Sequence, residues 1–263
     1  MKAVILAGGL GTRMREETEF KPKPMVEVGG KPVLWHLMKL LSFQGISEFV
    51  VCTGYKGDYI KRYFHDFATM NQDFTVGIGP EGSMEYHGSR EELDWKVTVA
   101  DTGLDTLTGG RLLAVRKYLN EERFLLTYGD GLADVDLGAL LERHEAGKKT
   151  LTITTTMPRS RFGVVELDEL GNVLRFLEKP IGGDLVNIGF MISQPEIFDY
   201  IHEDSPLEEG PLRLLAEKSQ LAAYRHDGFW QPMDTIREAG ILNSLWSSGQ
   251  APWAVWEKND REL

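Results

Sequence analysis

Short apolar runs alternate with helical patterns along residues 1–156, and this alternation constrains the fold more than any other feature of the chain. One run is Val4 to Leu6, and a second, rich in β-branched residues, is Phe49 to Thr53. The chain between them carries apolar residues at the spacing of one helix face, namely Leu34, Leu37, Met38 and Leu41. Strands that alternate with helices form a parallel sheet covered by those helices. We therefore predict an α/β fold, a three-layer sandwich around a mostly parallel, Rossmann-like sheet, with a small lobe added by the second half.

The same periodicities predict the remaining elements. Further strands are expected at Trp95 to Ala100, Arg123 to Tyr128, Phe162 to Leu167, Val173 to Glu178 and Asn187 to Ile192. Further helices are expected at Asp58 to Phe67, Gly110 to Leu119, Leu137 to Ala146, Pro195 to Ile201, Gly210 to Lys218 and Thr235 to Trp246. Residues 71–93 are rich in Gly, Asp, Glu, Ser and His and are predicted to be irregular. We expect a single domain over 1–263, divided into a half at 1–156, a lobe at 157–234, and a helix and tail at 235–263.

A glycine-rich turn follows the first strand. Glycines can take positive φ and leave room beside the backbone, so that N–H groups in the turn form a cradle for phosphate oxygens. Arg13 adds a fork of charge-assisted donors, and Lys23, held between two prolines, adds a second positive charge. The pattern is neither a P-loop nor a dinucleotide fingerprint, and it favours a nucleoside triphosphate over an incidental turn. The turn consists of Leu6, Ala7, Gly8, Gly9, Leu10, Gly11 and Thr12.

Acidic residues follow two of the predicted elements. Asp130 stands between glycines after a predicted central strand, at the sheet edge where α/β proteins bind ligands and where a carboxylate can hold a hard cation. Asp234 directly precedes the last predicted helix, and this position alone predicts that Asp234 is the N-cap of that helix. The pair Asp134 and Asp136 allows two interpretations. It is either the metal-binding D-x-D pair of a glycosyltransferase or an N-cap at Asp136 with Asp134 exposed beside it, and the cap is favoured because a glycosyltransferase has no evident use for the two cations.

Charge and composition exclude several classes of partner. A net charge of −11 disfavours nucleic acid and anionic membranes, since both reward a basic surface. No stretch approaches the roughly twenty apolar residues of a membrane span, and the N-terminus leads directly into a strand without a signal peptide, so we expect a cytoplasmic protein. The single cysteine, Cys52, fits a reducing compartment and is predicted to be a buried strand residue instead of a catalytic thiol.

Seven short motifs are spread along the chain, namely Gly8 to Arg13, Lys21 to Met25, Asp101 to Gly103, Thr108 to Leu112, Tyr128 to Gly131, Glu178 to Pro180 and His226 to Thr235. Together they resemble the sugar-1-phosphate nucleotidylyltransferase family, and the last five are similar to its cytidylyltransferase branch. The likeness extends from Met1 to about Trp256. It implies transfer of CMP from CTP to a hexose 1-phosphate, with glucose 1-phosphate favoured, by direct in-line attack with Mg²⁺. It also implies a homo-oligomer and a role in nucleotide-sugar biosynthesis for lipopolysaccharide O-antigen.

The resemblance also implies roles for individual residues. Arg111 is expected to bind the pyrimidine O2 and N3, which both accept hydrogen bonds in cytosine. The family usually shows Asn-Gly-Gly-Phe where this chain has Asn187-Ile188-Gly189-Phe190, so Ile188 is expected to narrow the sugar pocket. A non-catalytic nucleotide-sugar sensor is a third interpretation, and the full set of charged site residues argues against it. The implied catalytic residues are Arg13, Lys23 and Lys179. The implied nucleotide-binding residues are Leu6, Ala7, Gly8, Gly9, Gly11, Thr12, Thr108, Gly110, Arg111 and Asp130. The implied sugar-phosphate residues are Glu178, Lys179 and Asn187, and the implied metal ligands are Asp130 and Asp234.

Overall fold

A computed structural model describes residues 1–79, 82–88, 94–158, 162–178, 180–202 and 204–259. In these ranges the strands are β1 (Lys2–Leu6), β2 (Glu27–Val28), β3 (Lys31–Pro32), β4 (Glu48–Thr53), β5 (Asp73–Val76), β6 (Met84–His87), β7 (Lys96–Asp101), β8 (Phe124–Tyr128), β9 (Gly131–Ala133), β10 (Leu151–Thr156), β11 (Val164–Leu167), β12 (Val173–Leu177), β13 (Val186–Asn187), β14 (Met191–Ser193), β15 (Leu221–Arg225) and β16 (Trp230–Pro232). The α-helices are α1 (Arg15–Thr18), α2 (Val33–Phe43), α3 (Gly57–His65), α4 (Phe67–Asn71), α5 (Thr108–Val115), α6 (Leu137–Gly147), α7 (Pro211–Glu217), α8 (Ile236–Ser247) and α9 (Val255–Asn259).

One large sheet organises the molecule. Its strands follow the order β13-β10-β14-β8-β1-β4-β7, and β15 pairs with β10. The neighbours β8, β1, β4 and β7 are all parallel, as are β10 and β15. The pairs that involve β13 and β14 are antiparallel. The predicted α/β fold with a mostly parallel sheet is therefore confirmed.

Both faces of this sheet are covered by apolar side chains. Successive residues of a strand point to opposite faces, so Ala3 and Ile5 of β1 pack with α2, while Val4 and Leu6 pack with α5. All four are buried. The chain thus forms helix, sheet and helix layers, as the alternation of strands and helices predicts.

The expected lobe at 157–234 contributes to the main sheet. Its strands β13, β14 and β15 all pair within that sheet, and β14 lies between β8 and β10. The single strand predicted at Asn187 to Ile192 is wrong, because the chain breaks between β13 and β14. Gly189 has φ +81° and Phe190 has φ +51°, and a left-handed backbone does not continue a strand. The sequence patterns also gave no indication of β10 or β15.

The irregular segment predicted at residues 71–93 is wrong for its described part. There β5 and β6 form an antiparallel hairpin, and the side chains of both strands are exposed. One face of this hairpin carries Phe74, Val76, Met84 and Tyr86, and the other carries polar or charged residues. The alternation covers only four residues in each strand and neither face is buried, so it is a weak sequence signal. Cys52 is fully buried, as predicted, and burial raises the pKa of its thiol to about 12. Among the described residues, no helix combines the length and the apolar character needed to cross a bilayer.

Candidate active site

A cavity of about 230 Å³ lies at the carboxyl ends of β1 and β8. The glycine-rich turn forms one side of it, and a 3₁₀ helix at Lys23–Met25 forms another. Gly11 has φ +62°, and a Cβ added there would lie 2.8 Å from Cγ2 of Thr18, so glycine is required at this point of the turn. The lining consists of Leu6, Ala7, Gly9, Gly11, Thr12, Arg13, Lys23, Pro24 and Asp130. All of these except Pro24 are residues expected to serve nucleotide binding or catalysis.

Two cations and two carboxylates meet in this cavity. The ammonium of Lys23 donates to Oδ2 of Asp130 at 2.7 Å and to Oδ1 of Asp234 at 2.5 Å. Arg13 donates to the other oxygen of Asp234 at 2.7 Å. Lys23 is 8% exposed, whereas the Arg13 side chain is 65% exposed and can follow a ligand at the mouth of the cavity.

A short antiparallel ribbon brings the two carboxylates together. Strand β9 begins directly after Asp130, and β16 ends just before Met233 and Asp234. The register pairs Gly131 with Pro232, and the N–H of Met233 donates to the carbonyl of Asp130 at 2.9 Å. Asp130 and Asp234 therefore leave the ribbon side by side, although they are far apart in sequence.

Asp234 is not the N-cap that its own pattern predicts. The cap of α8 is Thr235, whose Oγ1 accepts from the N–H of Glu238 at 3.2 Å, while the N–H of Asp234 donates to the Glu238 carboxylate at 2.8 Å. These two hydrogen bonds resemble a capping box and satisfy the start of the helix without the Asp234 carboxylate. That carboxylate is therefore directed to Lys23 and Arg13.

The carboxylate pair fits a divalent metal ion. Both groups already converge on one cation, the Lys23 ammonium, so their geometry suits a shared positive charge. The described residues contain no group of three or more His, Cys, Asp or Glu side chains placed to hold a metal. Mg²⁺ is commonly held by one or two carboxylates together with phosphate oxygens, and this arrangement matches that pattern.

The Asp134 and Asp136 side chains are both used within the fold. Asp136 caps α6 by accepting from the N–H of Ala139 at 3.0 Å, as predicted. The expectation that Asp134 is exposed is wrong, because it accepts from the N–H of Phe229 at 2.7 Å and lies 3.2 Å from Nε2 of His226. The two residues therefore do not form the metal-binding pair of a glycosyltransferase.

Asp134 and His226 also influence each other's ionisation. Burial opposes charge on His226, but its hydrogen bonds with Asp134 and with the Phe229 carbonyl outweigh burial and raise its pKa. Burial likewise opposes charge on Asp134, and the hydrogen bonds from His226 and from the Phe229 N–H outweigh it and lower its pKa. This charged contact fixes the turn that leads into β16.

Arg111 occupies a position different from the expected contact with the base. It is 4% exposed, and a Cβ added at Gly8 would lie 2.2 Å from its Nη1. The guanidinium therefore packs beneath the glycine-rich turn and ties it to the ends of β4 and β7, a geometry that argues against direct contact with a pyrimidine. Its acceptors are the carbonyls of Gly8 (3.1 Å), Thr53 (3.0 Å), Gly103 (2.7 Å) and Leu104 (3.1 Å) and the hydroxyl of Thr102 (2.8 Å).

The remaining expected site residues lie outside the lining of the described cavity. Thr108 and Gly110 form the first turn of α5, and Asn187 ends β13, where its Oδ1 accepts from the N–H of Gly189 at 3.1 Å. Glu178 follows β12, and Lys179 lies outside the described residues. Ile188, expected to narrow the sugar pocket, is 6% exposed and belongs to the apolar core on the α2 face. Its departure from the family pattern is therefore accommodated by core packing.

The fold and this site define the chain as a nucleotide-transferring enzyme of one family. A profile of the nucleotidyl transferase family matches residues 2–247, and the chain belongs to that family. It is 50% identical to the glucose-1-phosphate cytidylyltransferase of Salmonella typhi, over 98% of this chain and 100% of that protein. It is 42% identical to a Bacillus subtilis protein named "Probable glucose-1-phosphate cytidylyltransferase", over 97% and 100% of the two chains.

Solved structures agree on the fold. The crystal structure of HddC from Yersinia pseudotuberculosis superposes with a TM-score of 0.66 at 24% identity, covering 93% of this chain and 99% of that one. The overall α/β architecture is thus shared with a solved protein. At this level of identity, the likeness concerns the architecture alone.

Proposed function

We propose that this protein transfers CMP from CTP to α-D-glucose 1-phosphate, which yields CDP-glucose and pyrophosphate. The observation that carries the proposal is the convergence of Lys23, Arg13, Asp130 and Asp234 beside the glycine-rich turn. The name of the Salmonella typhi relative, at 50% identity over nearly the whole chain, supports both the nucleotide and the sugar.

The reaction is an in-line displacement at phosphorus. An oxygen of the sugar phosphate attacks the α-phosphorus of CTP, the bond to the β-phosphate breaks, and pyrophosphate leaves without a covalent intermediate. The protein contributes position and charge stabilisation. Lys23 is suited to the α-phosphate because it is buried and fixed, and the exposed Arg13 is suited to the departing pyrophosphate. Lys179 is assigned to the attacking phosphate.

A divalent metal ion belongs to this proposal, in line with the nucleotidyl transferase family, and we propose Mg²⁺. Asp130 and Asp234 would hold it. When bound, it neutralises phosphate charge and orients phosphate oxygens. The chain's own contribution is the geometry of the two carboxylates, which the β9–β16 ribbon fixes before any ligand arrives.

Substrate choice is assigned to two regions. The glycine-rich turn and the first turn of α5, with Thr108 and Gly110, would read the base through main-chain groups, and Arg111 would hold the turn in shape. Glu178 and Asn187 would bind the sugar hydroxyls. We also propose a cytoplasmic homo-oligomer that supplies a nucleotide sugar for lipopolysaccharide O-antigen. Light scattering would test the oligomer, because the mass in solution should be a multiple of the chain mass.

One experiment tests the reaction and its substrates together. The protein and Mg²⁺ are mixed with CTP, UTP, dTTP, ATP or GTP and with several hexose 1-phosphates, and pyrophosphate release is measured. CTP with glucose 1-phosphate should give the highest kcat/KM. A different sugar with CTP retained would correct the sugar alone. A glycosyltransferase would release CDP or UDP from a preformed nucleotide sugar, and a sensor would release no product, so either result would overturn the proposal.

The roles of the two cations are tested by substitution. Arg13→Ala and Lys23→Ala should each lower kcat about 10²-fold, the scale seen when one preorganised charge donor is removed from an active site. Arg15→Ala and Lys21→Ala are matched controls, since both lie outside the described cavity lining, and they should keep kcat within about threefold of wild type. Wild-type turnover in either Ala variant of Arg13 or Lys23 would show that its assigned role is wrong.

A further inference from the structure

A segment that no sequence pattern singled out docks onto the start of α5. The first N–H groups of a helix have no hydrogen-bond partner within that helix. At the start of α5, residues 204–208 accept hydrogen bonds from backbone N–H groups and from the hydroxyl of Thr108. A Cβ at Gly110 would lie 2.2 Å from Asp204 Oδ1, and one at Gly109 would lie 2.5 Å from the Ser205 carbonyl, so the two segments are in close contact. The hydrogen bonds run from Leu107 N to Asp204 Oδ1, from Gly109 N to the Ser205 carbonyl and from Leu207 N to Thr108 Oγ1, each at 2.8 Å.

Glu208 closes this segment and uses both carboxylate oxygens. Oε2 accepts from the hydroxyl of Thr108 at 3.2 Å, and Oε1 accepts a short hydrogen bond from the phenol of Tyr128. Thr108 begins α5, whereas Tyr128 ends the central strand β8, two residues before Asp130. One exposed side chain therefore joins the first turn of α5 to the end of the strand that leads to Asp130.

Tyr128 extends this connection to the sugar side. The Asn187 side chain is close enough to the phenol to lower its pKa slightly, against the larger effects of burial and Glu208. Burial, and then the neighbouring Glu208 carboxylate, raises the pKa of Tyr128, so the phenol keeps its proton and remains a donor. A Cβ at Gly189 would lie 3.0 Å from Cδ2 of the Tyr128 ring, so the turn after Asn187 packs closely against it.

We propose that Glu208 is a positioning residue for the transfer reaction. It holds Thr108 and Tyr128 at a fixed separation and thereby fixes the position of the nucleotide side of the site relative to the sugar side. This inference rests on the proposed function. A carboxylate suits the task because it offers two acceptors in a rigid plane to two hydroxyl donors. Without it, both hydroxyls lose their acceptor, and the two walls of the site are free to separate.

The test compares Glu208→Ala with Glu208→Gln. The Gln variant keeps a carbonyl oxygen for Tyr128 and an NH₂ group that can donate to Thr108, so it should retain kcat/KM within about threefold. The Ala variant should lose about tenfold or more in kcat/KM for CTP and for the sugar phosphate, because a small misplacement of reacting groups is costly. Glu209→Ala removes the same charge from the next residue, for which no side-chain hydrogen bond or ion pair is found in the described part of the chain, and it should match wild type.

Tyr128→Phe gives a second variant that leaves the carboxylate in place. If Glu208 acts through Tyr128, the Glu208→Ala and Tyr128→Phe effects should be non-additive, so that the double variant loses little more than the worse single variant. Wild-type kcat/KM in Glu208→Ala, equal damage in Glu208→Gln, or additive losses would each overturn the proposal. Absence of pyrophosphate release by the wild-type protein would instead overturn the proposed function, and calorimetric CTP binding by the same variants would then still report on Glu208.

Discussion

At the scale of single residues, the charges of the site are already paired before a ligand arrives. Lys23 lies between Asp130 and Asp234, and its ammonium is therefore placed where a divalent cation would find two carboxylates. Bringing in a metal ion requires Lys23 to move away or to share the carboxylates. An incoming triphosphate offers Lys23 a new partner, so nucleotide and metal should enter more readily together than the metal alone.

This pairing predicts an unusual gain of binding on loss of a charge. Lys23→Met leaves the two carboxylates without their shared cation, and the increased negative potential should raise the affinity for Mn²⁺ without nucleotide by about tenfold. The free Mn²⁺ signal in electron paramagnetic resonance measures this affinity directly. Lys21→Met is the control, because Lys21 pairs with Glu17 and Glu27 and should leave Mn²⁺ binding unchanged. Equal affinity in wild type and Lys23→Met would show that the lysine does not compete with the metal.

Arg111 leads to a prediction about stability instead of specificity. Arg111→Met removes the partner of four carbonyls and one hydroxyl around the glycine-rich turn, several of them buried. Unsatisfied buried acceptors and lost charged hydrogen bonds should lower the free energy of unfolding by about 3 kcal/mol, measured by urea denaturation. Arg62→Met is the control, since the Arg62 side chain is 77% exposed and pairs with Asp58 on the surface of α3. Unchanged stability together with altered base preference would restore the role expected from the sequence.

At the scale of elements, the β9–β16 ribbon determines the site, and the turn before β16 depends on the contact between Asp134 and His226. The raised pKa of His226 contributes stability that is complete below the ordinary histidine value of 6.5 and is lost as the pH rises through the raised value. The lowered pKa of Asp134 contributes stability that is present above 3.8 and is lost as the pH falls through the lowered value. The contact is therefore strongest between these two limits.

His226→Gln tests this pH dependence. Glutamine can still donate to the Phe229 carbonyl but carries no charge, so wild type should exceed the variant in free energy of unfolding most clearly between pH 3.8 and 6.5. The difference should shrink as the pH rises through the raised pKa of His226. Urea denaturation at several pH values measures it, and His65→Gln, at an exposed histidine, is the control. A difference that grows with pH would contradict the assigned sign.

The elements also show what sequence reasoning can reach. Sequence reasoning predicts strand β1 and helix α2 because their apolar residues repeat at a regular spacing and nearly all of them are buried. The break between β13 and β14 was missed, because the left-handed backbone at Phe190 has no local sequence signal. The site residues on the glycine-rich turn can be predicted from the sequence, because glycines and adjacent cations suit phosphate binding. The burial of Arg111 and the hydrogen bonds that Glu208 accepts cannot be predicted in this way, because they depend on contacts between segments about 60 to 100 residues apart.

At the scale of the whole molecule, the two halves share one sheet. Strand β14 lies between β8 and β10 and is fully buried, and β15 pairs with the other edge of β10. Residues 1–156 alone therefore leave one edge of β8 and both edges of β10 unpaired, with one region of the core open. A fragment of residues 1–156 should therefore lack a cooperative unfolding transition by circular dichroism, while the full chain shows one. Cooperative unfolding and CTP binding by this fragment would instead identify the first half as an independent domain.

The β9–β16 ribbon has a consequence for how the protein is made. Asp130 leaves the ribosome first, and the roughly one hundred residues before Asp234 take on the order of ten seconds to synthesise. During this interval Lys23 can reach Asp130 but not its second carboxylate, and β9 has no partner strand. A nascent chain can thus bury most of its N-terminal half while its reaction centre still lacks one acidic group. Activity therefore arises only after the segment from His226 to Asp234 has been synthesised and β16 has paired with β9.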